Sequence, residues 1–251
     1  MSSLNNFLAK IKVYLILFFG LFIGSLFFSY GVYVGVYQIF PYNYLLSLKQ
    51  TVVNSNHGFI EVSRESVRND QFKLLKHKSN IVFVGDSITE QAIFNELLSN
   101  YKVANRGIGG DSVSDIFLRI NSITSLDPKV VFIMAGINDI YKEKPINVIF
   151  EDYKKLVNAL IERNIKIVIQ STIQCELLKC GKKKVESVNK LNYMLSDLSK
   201  QSGISFLNLK KLSEKNGLEK KFTWDGVHLT ANAYIYWSSI ILEELDDLDI
   251  S

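Results

Sequence analysis

From Asn80 to the C-terminus, short apolar runs alternate with longer amphipathic stretches, and that alternation admits few folds. Runs at 81–85, 101–104, 130–135, 165–170 and 204–208 are rich in β-branched and aromatic residues, the composition of buried strands. Stretches near 88–99, 112–124, 146–163, 183–201 and 229–245 carry apolar residues at helical spacing. Strand and helix alternating in this way predict an α/β fold, a three-layer α/β/α sandwich whose parallel sheet is covered on both faces. The span 80–251 is the length of one such domain. Ligands of these sheets bind beyond the carboxyl ends of the strands, so candidate chemistry is sought just after each apolar run.

Four of those places carry informative residues. Gly85-Asp86-Ser87-Ile88-Thr89 delivers a serine to the first turn of a helix, where backbone N–H groups lack partners and favour an oxyanion. Asp86 or Ser87 acting only as a helix cap accounts for the same turn. Asn105-Arg106-Gly107-Ile108-Gly109-Gly110-Asp111 is dense enough in glycine for backbone N–H groups to approach a ligand, and Asp111 is expected to cap the next helix. Ala135-Gly136-Ile137-Asn138-Asp139 ends the third run with an amide side chain suited to an oxyanion or to an Asx turn. Trp224-Asp225-Gly226-Val227-His228-Leu229 precedes the last helix. A carboxylate three residues before a histidine can accept the imidazole N–H and leave the other nitrogen as a base, or simply open the helix. The other two histidines, His57 and His77, lie in a connector and at the end of a basic helix.

In this order, each at a strand end, the four stretches together resemble the SGNH (GDSL) hydrolase family over 81 to about 245. Gly107 to Ser112, followed by Leu118 and Arg119, resembles in particular the branch of platelet-activating-factor acetylhydrolase catalytic subunits and carbohydrate acetylesterases. An α/β-hydrolase is disfavoured, because Gly85-Asp86-Ser87-Ile88-Thr89 lacks the second glycine of a G-x-S-x-G elbow. The resemblance implies a five-stranded sheet of flavodoxin-like order and serine esterase chemistry. Ser87 is then the nucleophile, His228 the base and Asp225 its orienting acid. Backbone N–H groups of Ser87 and Gly110 and the Asn138 amide form the oxyanion hole, with no metal or cofactor. Trp224, Asp86 and Arg106 are candidate pocket residues, Trp224 either lining the pocket or simply packing in the core, and Arg106 facing either an anionic substrate group or plain solvent. The expected substrate is a small acyl ester, an O-acetyl group on a cell-surface glycan. Acyl transfer to a sugar, or hydrolysis of a lysophospholipid or thioester, would use the same residues. A catalytically inert, membrane-tethered glycan-binding protein would need none of these residues together.

Upstream of that domain the chain has a different character. No charged residue occurs from Val13 to Leu48, and the near-continuous apolar stretch 13–36 is long enough to span ~30 Å of hydrocarbon. A cleaved secretory signal would have a shorter apolar region and a small-residue cleavage site. The expected organisation is therefore 1–40, a short tail and transmembrane signal-anchor; 41–79, a connector and juxta-domain helix; and 80–251, the hydrolase domain. Tyr30, Tyr33, Tyr37, Tyr42 and Tyr44 suit an interfacial aromatic belt. Lys10 and Lys12 before the span, with the next charge at Lys49, predict a cytoplasmic N-terminus and an extracytoplasmic domain. Ser63 to Lys78 reads as a helix with Val67, Leu74 and Leu75 inward and Arg64, Arg68, Lys73 and Lys76 outward. Cys175 and Cys180, the chain's two cysteines, are either a disulfide suited to an oxidising compartment or two buried thiols. The net charge of +4 is spread along the chain without a basic stripe interleaved with aromatics, so no nucleic-acid partner is expected.

Gly20, Gly24, Gly31 and Gly35 fall on one helix face as two G-x-x-x-G pairs, a pattern that lets a second membrane helix approach and predicts a homodimer; glycine is also simply frequent in such helices. Replacing Gly24 and Gly31 by isoleucine is expected to lower self-association in a membrane reporter assay. Unchanged association would refute the dimer.

Overall fold

The computed structural model describes residues 2–37, 40–42, 44–45, 48, 63–214 and 217–250. His57 and most of the connector lie outside the described residues. The chain divides into two units, Met1–Glu61 and Val62–Ser251. The first holds α1 (Ser2–Tyr37), whose portion Lys10–Tyr37 is long and apolar enough to cross a membrane. Nothing lies within 4 Å of where side chains would start at Gly20, Gly24, Gly31 and Gly35, so that face of the helix has low relief.

The second unit begins with α2 (Arg64–Leu74) and is built on a parallel sheet of β1 (Ile81–Gly85), β2 (Val103–Gly107), β3 (Val130–Met134), β4 (Lys166–Gln170) and β5 (Ser205–Leu207). The strand order is β2-β1-β3-β4-β5, the flavodoxin-like order. Between the strands run α3 (Ser87–Gln91), α4 (Phe94–Leu97), α5 (Val113–Leu118), α6 (Asn121–Thr124), α7 (Ile137–Tyr141), α8 (Ile146–Ile161) and α9 (Leu177–Ser202). After a small antiparallel pair, β6 (Ser213–Glu214) and β7 (Gly217–Leu218), the chain closes with α10 (Ala231–Asp247).

Successive strand residues point to opposite faces, and this sorts the apolar runs into two cores. Val82, Val84, Val131, Ile133, Ile167 and Ile169 pack under α5, α8 and α9, against Ile116, Tyr153, Leu156 and Leu191. Ile81, Phe83, Val130, Phe132 and Val168 pack under α4 and α10, against Phe94, Trp237, Ile241 and Leu245. Both faces are covered, so β1 and β3 are buried at every position and read as unbroken apolar runs.

Several boundaries differ from the sequence expectation for physical reasons. β2 runs to Gly107 instead of ending at 104, because Asn105, Arg106 and Gly107 pair in register with Phe83, Val84 and Gly85. The helix expected over 88–99 is broken after Gln91. Asn105 Nδ2 donates to the carbonyls of Thr89, Glu90 and Ala92 at 2.7, 3.3 and 2.9 Å, satisfying acceptors that a continuous helix would have used. The stretch 112–124 likewise forms two short helices, α5 and α6, and α9 starts at Leu177, with a break at Gly181. Orientation of α2 is also corrected. Val67, Leu74 and Leu75 are exposed, whereas Phe72 is buried under the guanidinium groups of Arg106, Arg68 and Arg119 at 4.4, 5.2 and 6.0 Å. Arg68 and Phe72 are one helix turn apart, so the face they share is the one turned to the domain.

Gly85 and Gly107 let α3 lie directly on the strand ends. A methyl group at Gly107 would fall on the backbone nitrogen of Glu90, which cannot move independently of α3. Gly107→Ala is expected to cost roughly 1–3 kcal/mol, the usual scale of overpacking, and several degrees of melting temperature. An unchanged melting temperature would contradict this packing.

Candidate active site

β1 ends at Gly85, and Asp86, in an extended conformation, caps α3 by accepting the Ile88 N–H at 3.0 Å. Ser87 is thus the first helical residue, and its Oγ lies 3.0 Å from His228 Nε2. His228 Nδ1 is 2.7 Å from Asp225 Oδ2, while Asp225 Oδ1 accepts the backbone N–H groups of Val227 and His228 at 2.9 and 2.8 Å. Burial raises the Asp225 pKa, but the hydrogen bonds from His228 and Val227 and the attraction to His228 outweigh it and hold the carboxyl below its ordinary value. Thr223 closes the turn, its Oγ1 accepting from Gly226 N at 2.9 Å and donating to the His228 carbonyl at 2.8 Å. Gly226 sits at φ +91°, a conformation that favours glycine, so the turn that presents Asp225 to His228 depends on that residue.

The opposite wall is formed by the glycine-rich loop and α7. Asn138 donates one amide hydrogen to the Asp111 carbonyl at 3.0 Å and retains a second. Gly107 N donates to Asn105 Oδ1 at 2.8 Å, Ile108 N to the Gly85 carbonyl at 3.1 Å, Gly109 N to Glu90 Oε2 at 2.8 Å and Asp111 N to the Ile108 carbonyl at 3.2 Å. Among the described residues, the Gly110 N–H alone of these five has no protein acceptor. The expectation that Asp111 caps the next helix is corrected: Ser112 is the cap, in a reciprocal pair with Asp115, because the S-x-x-D pattern starts one residue later. Asp111 instead pairs with buried Arg119 at 2.7 Å, and Arg119 Nη2 reaches the Gly85 carbonyl at 3.3 Å.

The remaining candidates are placed as follows. Trp224 is 67% exposed and stacks on the His228 ring at 5.7 Å. Arg106 is buried, so it does not face plain solvent, and it donates to the carbonyls of Ser122 and Leu75 at 3.1 and 2.6 Å. Cys175 and Cys180 form a disulfide, and the adjoining Glu176 N–H donates to the Gly226 carbonyl at 2.7 Å, bracing the turn between Asp225 and His228. Asp86 is fully buried and its Oδ2 has no hydrogen-bond partner. Burial, reinforced by the negative Asp111 and Asp139 and only partly offset by the Ile88 N–H, pushes its pKa up to about 7. Among the described residues no group of three or more His, Cys, Asp or Glu is placed to hold a metal ion. Thr223 and Glu90, and the pairing of Arg119 with Asp111, carry no signal of their own in the sequence; the S-x-x-D pattern is the one local sign that Asp111 has another role.

The model of the GDSL-like lipase/acylhydrolase family matches residues 83–234. The N-acylneuraminate cytidylyltransferase of Streptococcus agalactiae serotype III (strain NEM316) is 26% identical over 167 residues, covering 64% of this chain and 37% of that protein. This chain therefore spans little more than a third of that relative's length. A GDSL-like lipase from Bacteroides thetaiotaomicron VPI-5482 superposes with a TM-score of 0.67 at 22% identity, over 75% of this chain and 100% of the other. A catalytic mutant of an acetylxylan esterase from Geobacillus stearothermophilus superposes with a TM-score of 0.58 at 17% identity, over 68% and 96% of the two chains. At such identities these two structures establish likeness of fold.

The raised pKa of Asp86 makes stability depend on pH. The unfolded carboxyl titrates near its ordinary 3.8 and the folded one near 7, so between these values the folded state holds the extra proton. Stability contributed by this group is full below about pH 4 and declines as pH rises towards about 7. Asp86→Asn keeps an acceptor for Ile88 and cannot ionise. Its melting temperature relative to the native protein is expected to improve from pH 4 to pH 7 and then level off. A pH-independent difference would contradict the burial of an ionisable Asp86.

Proposed function

From the membership of this chain in the GDSL-like lipase/acylhydrolase family, which makes it an ester hydrolase, we propose that Ser87, His228 and Asp225 cleave small O-acyl esters, chiefly O-acetyl groups of a cell-surface glycan. The observation that carries the reading is the continuous chain of contacts from Asp225 through His228 to Ser87, at 2.7 and 3.0 Å. Asp225 accepts the Nδ1–H of His228, which leaves Nε2 unprotonated and facing the Ser87 hydroxyl. Ser87 Oγ attacks the acyl carbon as its proton passes to Nε2, and the carbonyl oxygen becomes an oxyanion. The N–H groups of Ser87 and Gly110 and the free amide hydrogen of Asn138 receive that charge. His228 then protonates the departing alcohol oxygen as its bond to carbon breaks. Water repeats the sequence in reverse to free the acid and restore Ser87.

Three further observations support the glycan and its location. An exposed Trp224 ring beside His228 suits the apolar face of a sugar. The curated relative from Streptococcus agalactiae is named for an acylated sugar acid, and the Geobacillus structure for an acetylated polysaccharide. A disulfide between Cys175 and Cys180 supports an oxidising compartment. In this reading the apolar N-terminal helix anchors the chain, and Lys10 and Lys12 before the span favour a cytoplasmic N-terminus with the hydrolase domain outside.

The test uses the full chain in detergent with acetyl, butyryl and octanoyl p-nitrophenyl esters, and Ser87→Ala as the blank. Acetyl is expected to be the preferred substrate, and Ser87→Ala to lose at least about 10³-fold in kcat. Preference for octanoyl would overturn the small-acyl reading. Near-native activity in Ser87→Ala would overturn the assignment of the nucleophile.

A further inference from the structure

We propose that Arg68 of α2 and Glu90 of α3 are positioning residues that hold the oxyanion loop in its working conformation, so that the helix preceding the hydrolase domain is a part of its catalytic apparatus. The inference rests on the reading of Gly110 as an oxyanion donor.

The loop 107–110 contains three glycines and resists few rotations by itself. Gly110, at φ +87°, follows Gly109 directly, so the peptide carrying the Gly110 N–H can turn at little steric cost unless its neighbours are tied. The tie on its near side is Glu90, whose Oε2 accepts the Gly109 N–H at 2.8 Å. The same oxygen stands 3.0 Å from where a Gly109 side chain would begin, and Ser87 Cβ stands 3.5 Å from it. Glu90 thus occupies the space between the loop and the nucleophile helix.

Glu90 is in turn held from α2. Arg68 Nε lies 3.3 Å from Glu90 Oε1 and donates to the Gly107 carbonyl at 2.9 Å. One guanidinium therefore touches both the loop's first residue and the carboxylate that fixes its third. The Glu90 side chain is only 7% exposed and that of Arg68 28%, so the pair is largely shielded from solvent screening. Phe72, one turn further along α2, is pressed under Arg106 at 4.4 Å, and Arg106 also donates to the Leu75 carbonyl at 2.6 Å. These contacts fix α2 against the loop's outer side. Arg68 lies outside the residues 83–234 matched by the family model, so a support for the loop reaches it from a segment that precedes the matched span.

A positioning role predicts a particular kinetic signature. Substrate binding in the ground state does not need the oxyanion donor, whereas the transition state does. With the full chain, Arg68→Ala and Glu90→Ala are each expected to lower kcat on p-nitrophenyl acetate about tenfold, with KM within about twofold of native. Inhibition by a trifluoromethyl ketone, whose hemiketal oxygen mimics the oxyanion, should weaken by the same factor. Arg68→Lys and Glu90→Gln, which keep a cation or an acceptor in place, should recover only in part, to about threefold below native. If an alanine variant does not fold, the conservative variant at that position decides: it must still weaken the ketone about threefold in step with kcat. Native kcat in a folded alanine variant, or a fall in kcat without weaker ketone binding, would overturn the proposal. Ser87→Ala run alongside separates the two levels of failure. If it is inactive while the alanine variants are fully active, only the positioning role fails; if it stays active, the reading of the site fails as well.

Discussion

Where α3 crosses the ends of β1 and β2, no strand side chain comes between helix and sheet. Gly85 and Gly107 have no side chains to keep the helix away, and their neighbours across the gap are Thr89 and the Glu90 backbone. Ser87 therefore takes its position from the end of β1, a strand buried at every residue. Tyr234 adds a bond from α10 to the Ile88 carbonyl at 2.8 Å, and Asn105 occupies the carbonyls at the far end of α3. His228 has to reach the same point from 141 residues away. It does so because α10, which follows it, is seated on the same face of the sheet as α4 by Trp237, edge-on to Phe94 at 5.4 Å and bonded to Gln170 at 2.6 Å.

The acids behind the site show how charge is managed in that setting. Asp111 and Asp139 are buried but have cations: Arg119 at 2.7 Å for the first, and Lys144 at 3.0 Å, shared with Asp152, for the second. Removing one partner of such a buried pair typically costs about 3–5 kcal/mol, since the other charge is left without compensation. Asp86 has no such cation and responds by holding its proton up to about pH 7. The outcome is a shell of fixed polar groups around the glycine loop, which is the condition for an oxyanion site that needs no rearrangement during reaction. The turn 223–229 achieves the same rigidity locally, through Thr223 and the brace from the disulfide loop 175–180.

Much of this is legible in the sequence. The strand runs were legible because a buried parallel strand must be apolar on both faces, and β1 and β3 are. Helix ends were less legible: the break after Gln91 is made by Asn105, a residue on another strand, and no local pattern reports it. The face of α2 was misjudged for a similar reason. Its helical spacing marks Val67, Leu74 and Leu75 as inward, yet the domain offers the Arg106 and Arg119 guanidinium groups to Phe72, and the Glu90 carboxylate and Gly107 carbonyl to Arg68.

The sequence by itself determined the elements and the contacts that close within one turn of chain. The alternation of runs specifies the layered sheet, and the three-residue spacing from Asp225 to His228 contains their whole interaction, side chain and backbone alike. Tertiary structure alone decided which distant groups meet: Ser87 with His228, Asp111 with Arg119, and Glu90 with both Arg68 and Gly109. Each of those partners has several chemically equivalent candidates along the chain. The choice among them is made by strand register and by the close approach at two glycines, which are properties of the assembled sheet.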